Sequence, residues 1–549
     1  MKRRLVLAFC ALSLLTRIQA QDAVSPPNAA TLSGTVVKEP GSQPLKRVLL
    51  HLIAEDQKQA GNYTADTDSE GHFRIEKVQP GRYHLMLEKT GFHQVNIRGH
   101  QAQGLILTVQ AGQEINDLFL RMLSAAVITG KVVDEDGEPL PYYQVSLLRK
   151  RPGKSRNPEM AGEDRTNDLG QYRFSGLFPG QYFVAVVPPP DLRNFVHASQ
   201  DPHDTDAKPD WAYLTTYYPS TNDASQAAAI DLRAGDEMPI NFSLVPARSY
   251  RVRGMVTGIP ASQKPGVQLI SESVSPAING ADVSTDGQFE IRGVAPGSYV
   301  IAAYASTDAQ ILSASQSVTV VAADVEGVRI VPVRPFAVTG HIRFEGQAPR
   351  DLTLYSAYLR SAVAPDDSDS FYATARGISI AQADRFGKLE WTGVIPGRHI
   401  VQVVRDGDPD SFLKSVTVNG SNADGGFTVA GPASIEVVMS SKGGILEGAV
   451  LDRDKPAANV TAVAIPEEKY RKIHNRFSFG STDQNGHFVI RGLAPGGYTV
   501  FAWQDVDDGL YDDAAFLKSQ ESNGVALKVE EGSRQKIELK VSPVGEEWQ

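Results

Sequence analysis

Apolar and polar residues alternate with period two along most of the chain, and the alternation recurs in blocks. Tyr83, Leu85 and Leu87 share one face of a strand, as do Tyr182, Val184 and Val186. The pattern returns at Tyr299, Ile301 and Ala303, and again at Tyr498, Val500 and Ala502. One strand earlier stand Phe73 with Ile75, Phe289 with Ile291, and Phe488 with Ile490. A closing pair of strands reads Leu105, Leu107 and Val109, then Gly112, then Leu118 and Leu120. It recurs as Ile230 to Leu244 around Gly235, and as Val525 to Val541 around Gly532. Short alternating strands without helical periodicity predict antiparallel sandwiches of about seven strands each.

Three turn and strand signals punctuate these blocks in fixed order. The first is Gly-x-Val/Ile, at Gly34-Thr35-Val36, Gly130-Lys131-Val132, Gly254-Met255-Val256, Gly340-His341-Ile342 and Gly448-Ala449-Val450. The second is an Asp–Gly turn before an aromatic strand, from Asp68 to Gly71, Asp168 to Gly170, Asp286 to Gly287 and Asp483 to Gly486. A looser copy runs from Asp384 to Gly387. The third is Pro-Gly-x-Tyr, at Pro80, Pro179, Pro296 and Pro495, with Pro396-Gly397-Arg398-His399 as its variant. An Asp carboxylate can accept from backbone N–H groups two residues on, and Gly supplies positive φ, so the second signal predicts a hairpin turn. Pro followed by Gly predicts a type II turn. The tyrosine reads as a core and corner anchor rather than a catalytic phenol.

The repeats divide the chain into five modules: 28–123, 124–247, 248–334, 335–440 and 441–549. The predicted fold class is all-β, with five tandem antiparallel β-sandwich domains of immunoglobulin-like or prealbumin-like type. No Gly/Ser-rich or Pro-rich linker separates them, so an elongated chain on the order of 150 Å is expected, at about 3.3 Å per strand residue.

Composition refines this picture. The 549 residues include 48 Gly and 33 Pro, an excess that the repeated turns absorb. Lys2, Arg3 and Arg4, the apolar run from Leu5 to Leu15, and Ala20 read as a secretory signal peptide over residues 1–20, cleaved near Ala20. The run is too short to span a bilayer, and no second run reaches that length. Cleavage would remove the one cysteine, Cys10, and four cations with no acid, taking the formal charge from −10 to −14. A secreted or periplasmic, cysteine-free, acidic protein follows. It is not membrane-spanning after signal removal, and it lacks the basic footprint of a nucleic-acid binder.

The combined pattern Gly-x-Val, Asp-x-x-Gly-x-Phe and Val-x-Pro-Gly-x-Tyr resembles the carboxypeptidase regulatory-like domain, a transthyretin-like sandwich. Gly34, Asp68, Gly71, Phe73, Val78, Pro80, Gly81 and Tyr83 carry it in module one. Module two adds the turn from Asp134 to Leu140. The resemblance implies a sandwich related to Cna B-type and carbohydrate-binding-like domains, which serve as stalks, adhesion modules and binding modules. It also implies a carbohydrate or a cell-surface or periplasmic protein as partner.

Catalytic chemistry has little support in the residues. None of the eleven histidines is followed three residues later by Glu, so the metal pair of a zinc carboxypeptidase is missing. Gly-x-Ser-x-Gly and His-Glu-x-x-His are also missing. No enzyme and no resident cofactor are expected. Calcium is the one candidate cation, at Asp505, Asp507 and Asp508, with further acidic loops at Asp406 to Asp410 and Asp366 to Asp369. Charged loops on an acidic chain are the competing reading. The sharpest candidate for ligand binding is the insertion 188–223 of module two, with Trp211, Tyr213, Tyr217 and Tyr218. Aromatic faces stack on sugars and anchor interfaces. Equally, these rings can pack the insertion onto its own sandwich. Trp503 and Tyr511 occupy a comparable place in module five. Two function classes stand: a non-catalytic binding, adhesion or spacer protein, and an accessory or unrecognised part of a hydrolase or carboxypeptidase system.

Overall fold

The structure is a computed structural model. It describes residues 29–56, 61–95, 104–151, 158–189, 195–197, 210–259, 265–271, 278–306, 311–361, 378–405, 408–471, 476–504, 506 and 510–545. The signal segment 1–20 lies outside the described residues.

Among the described residues, five pairs of facing sheets enclose five separate apolar cores. Module one illustrates the plan. One sheet holds Ala30–Glu39 between His72–Val78 and Glu114–Ser124. The other runs Tyr63–Asp66, Leu49–Ala54, Gly81–Glu88, Leu105–Val109. Leu32, Val36, Phe73 and Ile75 from the first sheet meet Leu50, Leu52, Tyr83 and Leu85 from the second. Pairing is antiparallel except between the first and last strands of each module. Gly34 lies beside Leu118, Gly340 beside Ile435 and Gly448 beside Ile537 in parallel register.

That parallel pair explains the first signal. A Cβ built on Gly448 would lie 2.5 Å from the Ile537 carbonyl and 2.6 Å from the Phe488 ring. Only a residue without a side chain fits between the neighbouring backbone and the aromatic ring that covers it. The next residue but one ties this strand to the second signal. The Val36 N–H donates to the Gly71 carbonyl, and Val132, Val256, Ile342 and Val450 donate likewise to Gly170, Gly287, Gly387 and Gly486. The two motifs recur together because they bond to each other.

The Asp–Gly turn is not a hairpin. Asp68 accepts from the Glu70 and His72 N–H groups, each at 2.9 Å, and Gly71 has φ +77°. The His72 N–H, above all, holds this carboxyl below its usual range. Yet the strands on either side, Tyr63–Asp66 and His72–Val78, belong to opposite sheets. The turn is a corner. Identical local chemistry serves either purpose, because the neighbour of each strand is chosen by burial, not by the turn. In module two the accepting side chain is Asn167 rather than Asp168, taking the Leu169 and Gln171 N–H groups at 3.0 and 2.8 Å. In module three Ser284 holds that place, bonding the Gln288 carbonyl at 2.8 Å.

Pro-Gly is a second corner between sheets, and the expected positive φ at its glycine is not general. Gly180, Gly397 and Gly496 have φ near 150°, whereas Gly81 and Gly297 are not among the positive-φ glycines. The left-handed position lies earlier, at a bulge where the strand slips register: Gly176, Gly293, Gly393 and Gly492, with Lys77 at φ 60° in module one.

The modules follow one another almost without slack. Glu114–Ser124 of module one and Ala126–Val133 of module two are separated by Ala125 alone. The chain is nevertheless not a simple extended row. Gln484 of module five reaches module one, accepting from the Thr108 N–H at 2.9 Å and donating to the Thr108 carbonyl at 2.7 Å. The expected elongated arrangement is corrected to one in which the last module meets the first.

Candidate functional site

Each second sheet has an inner face on the core and an outer face. In modules two and five the outer face is apolar, and the segment after the Pro-Gly-x-Tyr strand folds over it. These segments hold the candidate aromatic residues except Trp503, which lies on the outer face itself.

In module two, Leu148, Ala185 and Val187 lie on the outer face and are buried. Thr216–Tyr217 pairs with Ala185 and Val186. Tyr217 is itself buried. Tyr218 packs edge-on to Phe242 at 6.5 Å, and its N–H donates to the Val184 carbonyl at 3.0 Å. Tyr213 packs edge-on to Tyr143 and donates its hydroxyl to the Glu135 carboxylate at 2.7 Å. Burial, with Glu135 as acceptor, raises this phenol far above its ordinary value. Three of the four rings therefore fasten the insertion to its sandwich. Trp211 differs, since 45% of its surface is exposed. Residues 190–194 and 198–209 of the insertion lie outside the described residues.

The insertion also forms the joint to module three. Trp211–Ala212 pairs on one side with Phe195–His197 and on the other with Ala247–Arg248. Beside it Asp210, only 2% exposed, accepts two hydrogen bonds of 2.7 Å from Arg251 and one of 3.2 Å from Arg292. Arg251 is 8% exposed, and the Asp210 carboxylate raises its guanidinium above the ordinary value. Glu290 adds a second carboxylate, 3.7 Å from Arg251 and 2.8 Å from Arg253. This buried ion-pair network was not among the sequence candidates. Its signal was an Asp inside a long insertion, followed by the alternating cations Arg251 and Arg253 at the start of the next module.

In module five the cover is the helix Ala514–Gln520, capped by Asp513, which accepts from the Ala515 and Phe516 N–H groups. Val463, Ile465, Phe501 and Trp503 of the outer face meet Leu510, Phe516 and Leu517 in a second small core. Trp503, expected as an exposed stacking ring, is fully buried. It stacks on Phe501 at 4.9 Å and donates its indole N–H to Gln520 at 3.3 Å. Tyr511 sits against Phe477 and Phe479 at 6.0 and 5.0 Å. A ring closed in on both faces cannot stack on a sugar, so Trp503 is withdrawn as a ligand contact.

The calcium candidates Asp505, Asp507 and Asp508 lie outside the described residues, as do Asp406 and Asp366 to Asp369. Asp410 is used at the joint between modules four and five, and Asp408 within module four. Asp408 accepts from the Tyr355 hydroxyl, and Asp410 pairs with Arg491 at 3.1 Å. Among the described residues no group of three or more His, Cys, Asp or Glu could hold a metal ion. No helix among them is long and apolar enough to cross a membrane.

With the corners and covers in place, the comparisons can be read. Residues 31–116 and 127–190 match the carboxypeptidase regulatory-like domain. Modules one and two resemble this domain. No curated protein matches the chain. Among solved structures, the TIE protein of Bacillus anthracis is 10% identical with a TM-score of 0.17, and covers 56% of this chain and 51% of its own length. The chain thus spans about half of that protein. A streptococcal ancillary pilin is 12% identical with a TM-score of 0.17, covering 56% and 98%. GBS52, the minor pilin of Streptococcus agalactiae, is 14% identical with a TM-score of 0.20, covering 42% and 99%.

Proposed function

We propose that this chain is a non-catalytic, secreted or periplasmic protein whose five sandwiches, with carboxypeptidase regulatory-like domains at the start, act as an adhesion or structural spacer. The observation that carries this reading is where the recurring polar residues go. The corner hydroxyls of Tyr83, Tyr182, Tyr299 and Tyr498 donate to backbone carbonyls four residues earlier. Asp68, Asn167, Asp384 and Asp483 hold backbone N–H groups in their turns. The repeated chemistry is spent on the scaffold. Boundaries near 123, 247, 334 and 440, and signal cleavage near Ala20, belong to the same reading.

Recognition of carbohydrate or of a surface protein is assigned to the exposed side of the module-two insertion, around Trp211. The test is a glycan-array and cell-wall pull-down with the mature chain, repeated after deletion of 191–218. Binding lost with the deletion, and lost also in Trp211→Ala, which keeps Asp210 and the joint to module three, supports the assignment. Binding that survives the deletion removes the insertion as the site.

A further inference from the structure

The edges of the sheets are not alike. A strand that ends a sheet turns every second N–H and C=O outward, ready to pair with another chain. Most edges here are blunted. Leu105–Val109 of module one is capped by the Gln484 side chain, which makes both hydrogen bonds that an incoming strand would make at Thr108. The corresponding strand of module four, Phe427–Val429, has three residues, and that of module five, Val525–Val529, has five and carries Lys528. On the opposite edge of module two, Glu159–Arg165 carries Glu159, Glu163, Asp164 and Arg165.

Module three is the exception. Ile311–Val320 ends its sheet and pairs over all ten residues with Gly297–Ser306, with no bulge. Among the described residues, the other strands that end a sheet run to seven residues at most. Its sequence, ILSASQSVTV, contains no charge, no proline and no glycine. Ser315, Gln316 and Thr319 are exposed. Among the described residues the strand itself carries no charge, proline, glycine or bulge of the kind that guards other edges.

We propose that this edge is a self-association surface, on which a second copy of the chain adds its own Ile311–Val320 strand antiparallel to the first. The lack of charge on this strand permits that partner. Copies of a chain with net charge −10 repel, and the uncharged edge is where two of them approach with least cost. The strand is also self-complementary. A two-fold axis through the facing pair of Ser315 residues sets Ile311 opposite Thr319, Leu312 opposite Val318 and Ala314 opposite Gln316. The two four-stranded sheets become one continuous sheet of eight. The contact closes at two copies, because each edge is used once.

The test is sedimentation of the full mature chain from low concentration up to about 300 µM, a range that populates a dimer of micromolar affinity. The apparent mass should double across it, and the amides of 311–320 should exchange more slowly in the dimer. Ser315→Lys sets two cations side by side across the axis and should return the monomer, whereas Ser315→Thr should keep the dimer. Circular dichroism and melting of both variants confirm that they fold. A wild-type chain that stays monomeric throughout overturns the proposal. So does a dimer that survives Ser315→Lys, or association that continues beyond two copies.

Discussion

The His399 Nε2 lies 2.8 Å from the Ile395 carbonyl oxygen, in the place where the other four modules put a tyrosine hydroxyl. A carbonyl only accepts, so Nε2 carries a proton and donates it to Ile395. Its Nδ1 is buried without a hydrogen-bond partner. Burial lowers the His399 pKa below its ordinary 6.5, and the Ile395 carbonyl only partly offsets this. Between the folded and unfolded values the unfolded chain holds more protons, so module four loses stability as the pH falls below about 6.5. His399→Tyr restores the common corner and removes this term. Thermal unfolding of wild type and variant should differ more at pH 5 than at pH 7.5. Parallel curves at both pH values would discard the argument.

The bulge glycines offer a matched pair of substitutions. Lys77 stands at φ 60°, where modules two to five have glycine. Lys77→Gly should stabilise module one by about 1 kcal/mol by relieving the left-handed strain. Gly176→Ala in module two meets nothing within 4 Å and should cost about 1–2 kcal/mol from strain alone. Gly492→Ala should cost clearly more. Its Cβ would lie 2.5 Å from the Pro409 carbonyl and 2.7 Å from that of Ser411, both in module four. Denaturant titration of the three variants orders them, and equal losses at Gly176 and Gly492 would remove the joint from the explanation.

Asp210 and Arg251 lock module two to module three through a buried pair. Asp210→Ala leaves the Arg251 cation without its main partner and should cost about 3–5 kcal/mol at this joint. Limited proteolysis should then cut near 245–250 far faster than in wild type. Because the pair is buried, the wild-type joint should be little affected by 1 M salt, whereas an exposed pair would be screened. Marked salt-induced cleavage of wild type would contradict the burial.

The tryptophans separate the scaffold from the surface. Trp503→Ala empties the small core under the helix Ala514–Gln520 and should cost about 3–5 kcal/mol. Trp211→Ala removes a half-exposed ring and should change stability by no more than about 0.5 kcal/mol. A glycan or protein ligand of the insertion should quench Trp211 fluorescence, and its binding should fall in the Trp211→Ala variant at unchanged melting temperature.

What could be read in advance was local. Gly448, Phe488 and Tyr498 announce their strands because the requirement for each lies within one corner or one strand pair. The route of the chain between sheets could not be read from Asp68 and Gly71, since the same turn closes a hairpin or rounds a corner. Trp503 and Trp211 look alike in sequence, each an aromatic residue after a Tyr strand. Only the helix capped by Asp513 buries the former. Gln484 carried no signal at all: a polar residue in a turn is ordinarily solvated, and its role depends on Thr108, 376 residues away.

That distant pair sets the overall dimensions of the molecule. The carboxamide of Gln484 makes two hydrogen bonds to one edge residue, which together contribute about 1–3 kcal/mol. A contact of that size holds modules one and five together because they belong to one chain, which makes their pairing intramolecular. Gln484→Ala should therefore open the chain without unfolding any module. Small-angle scattering should report a longer maximum dimension for the variant, approaching the order of 150 Å of an extended row. Circular dichroism and melting should stay unchanged. Identical scattering from both chains would mean that the joints alone, and not this clasp, bring the last module to the first.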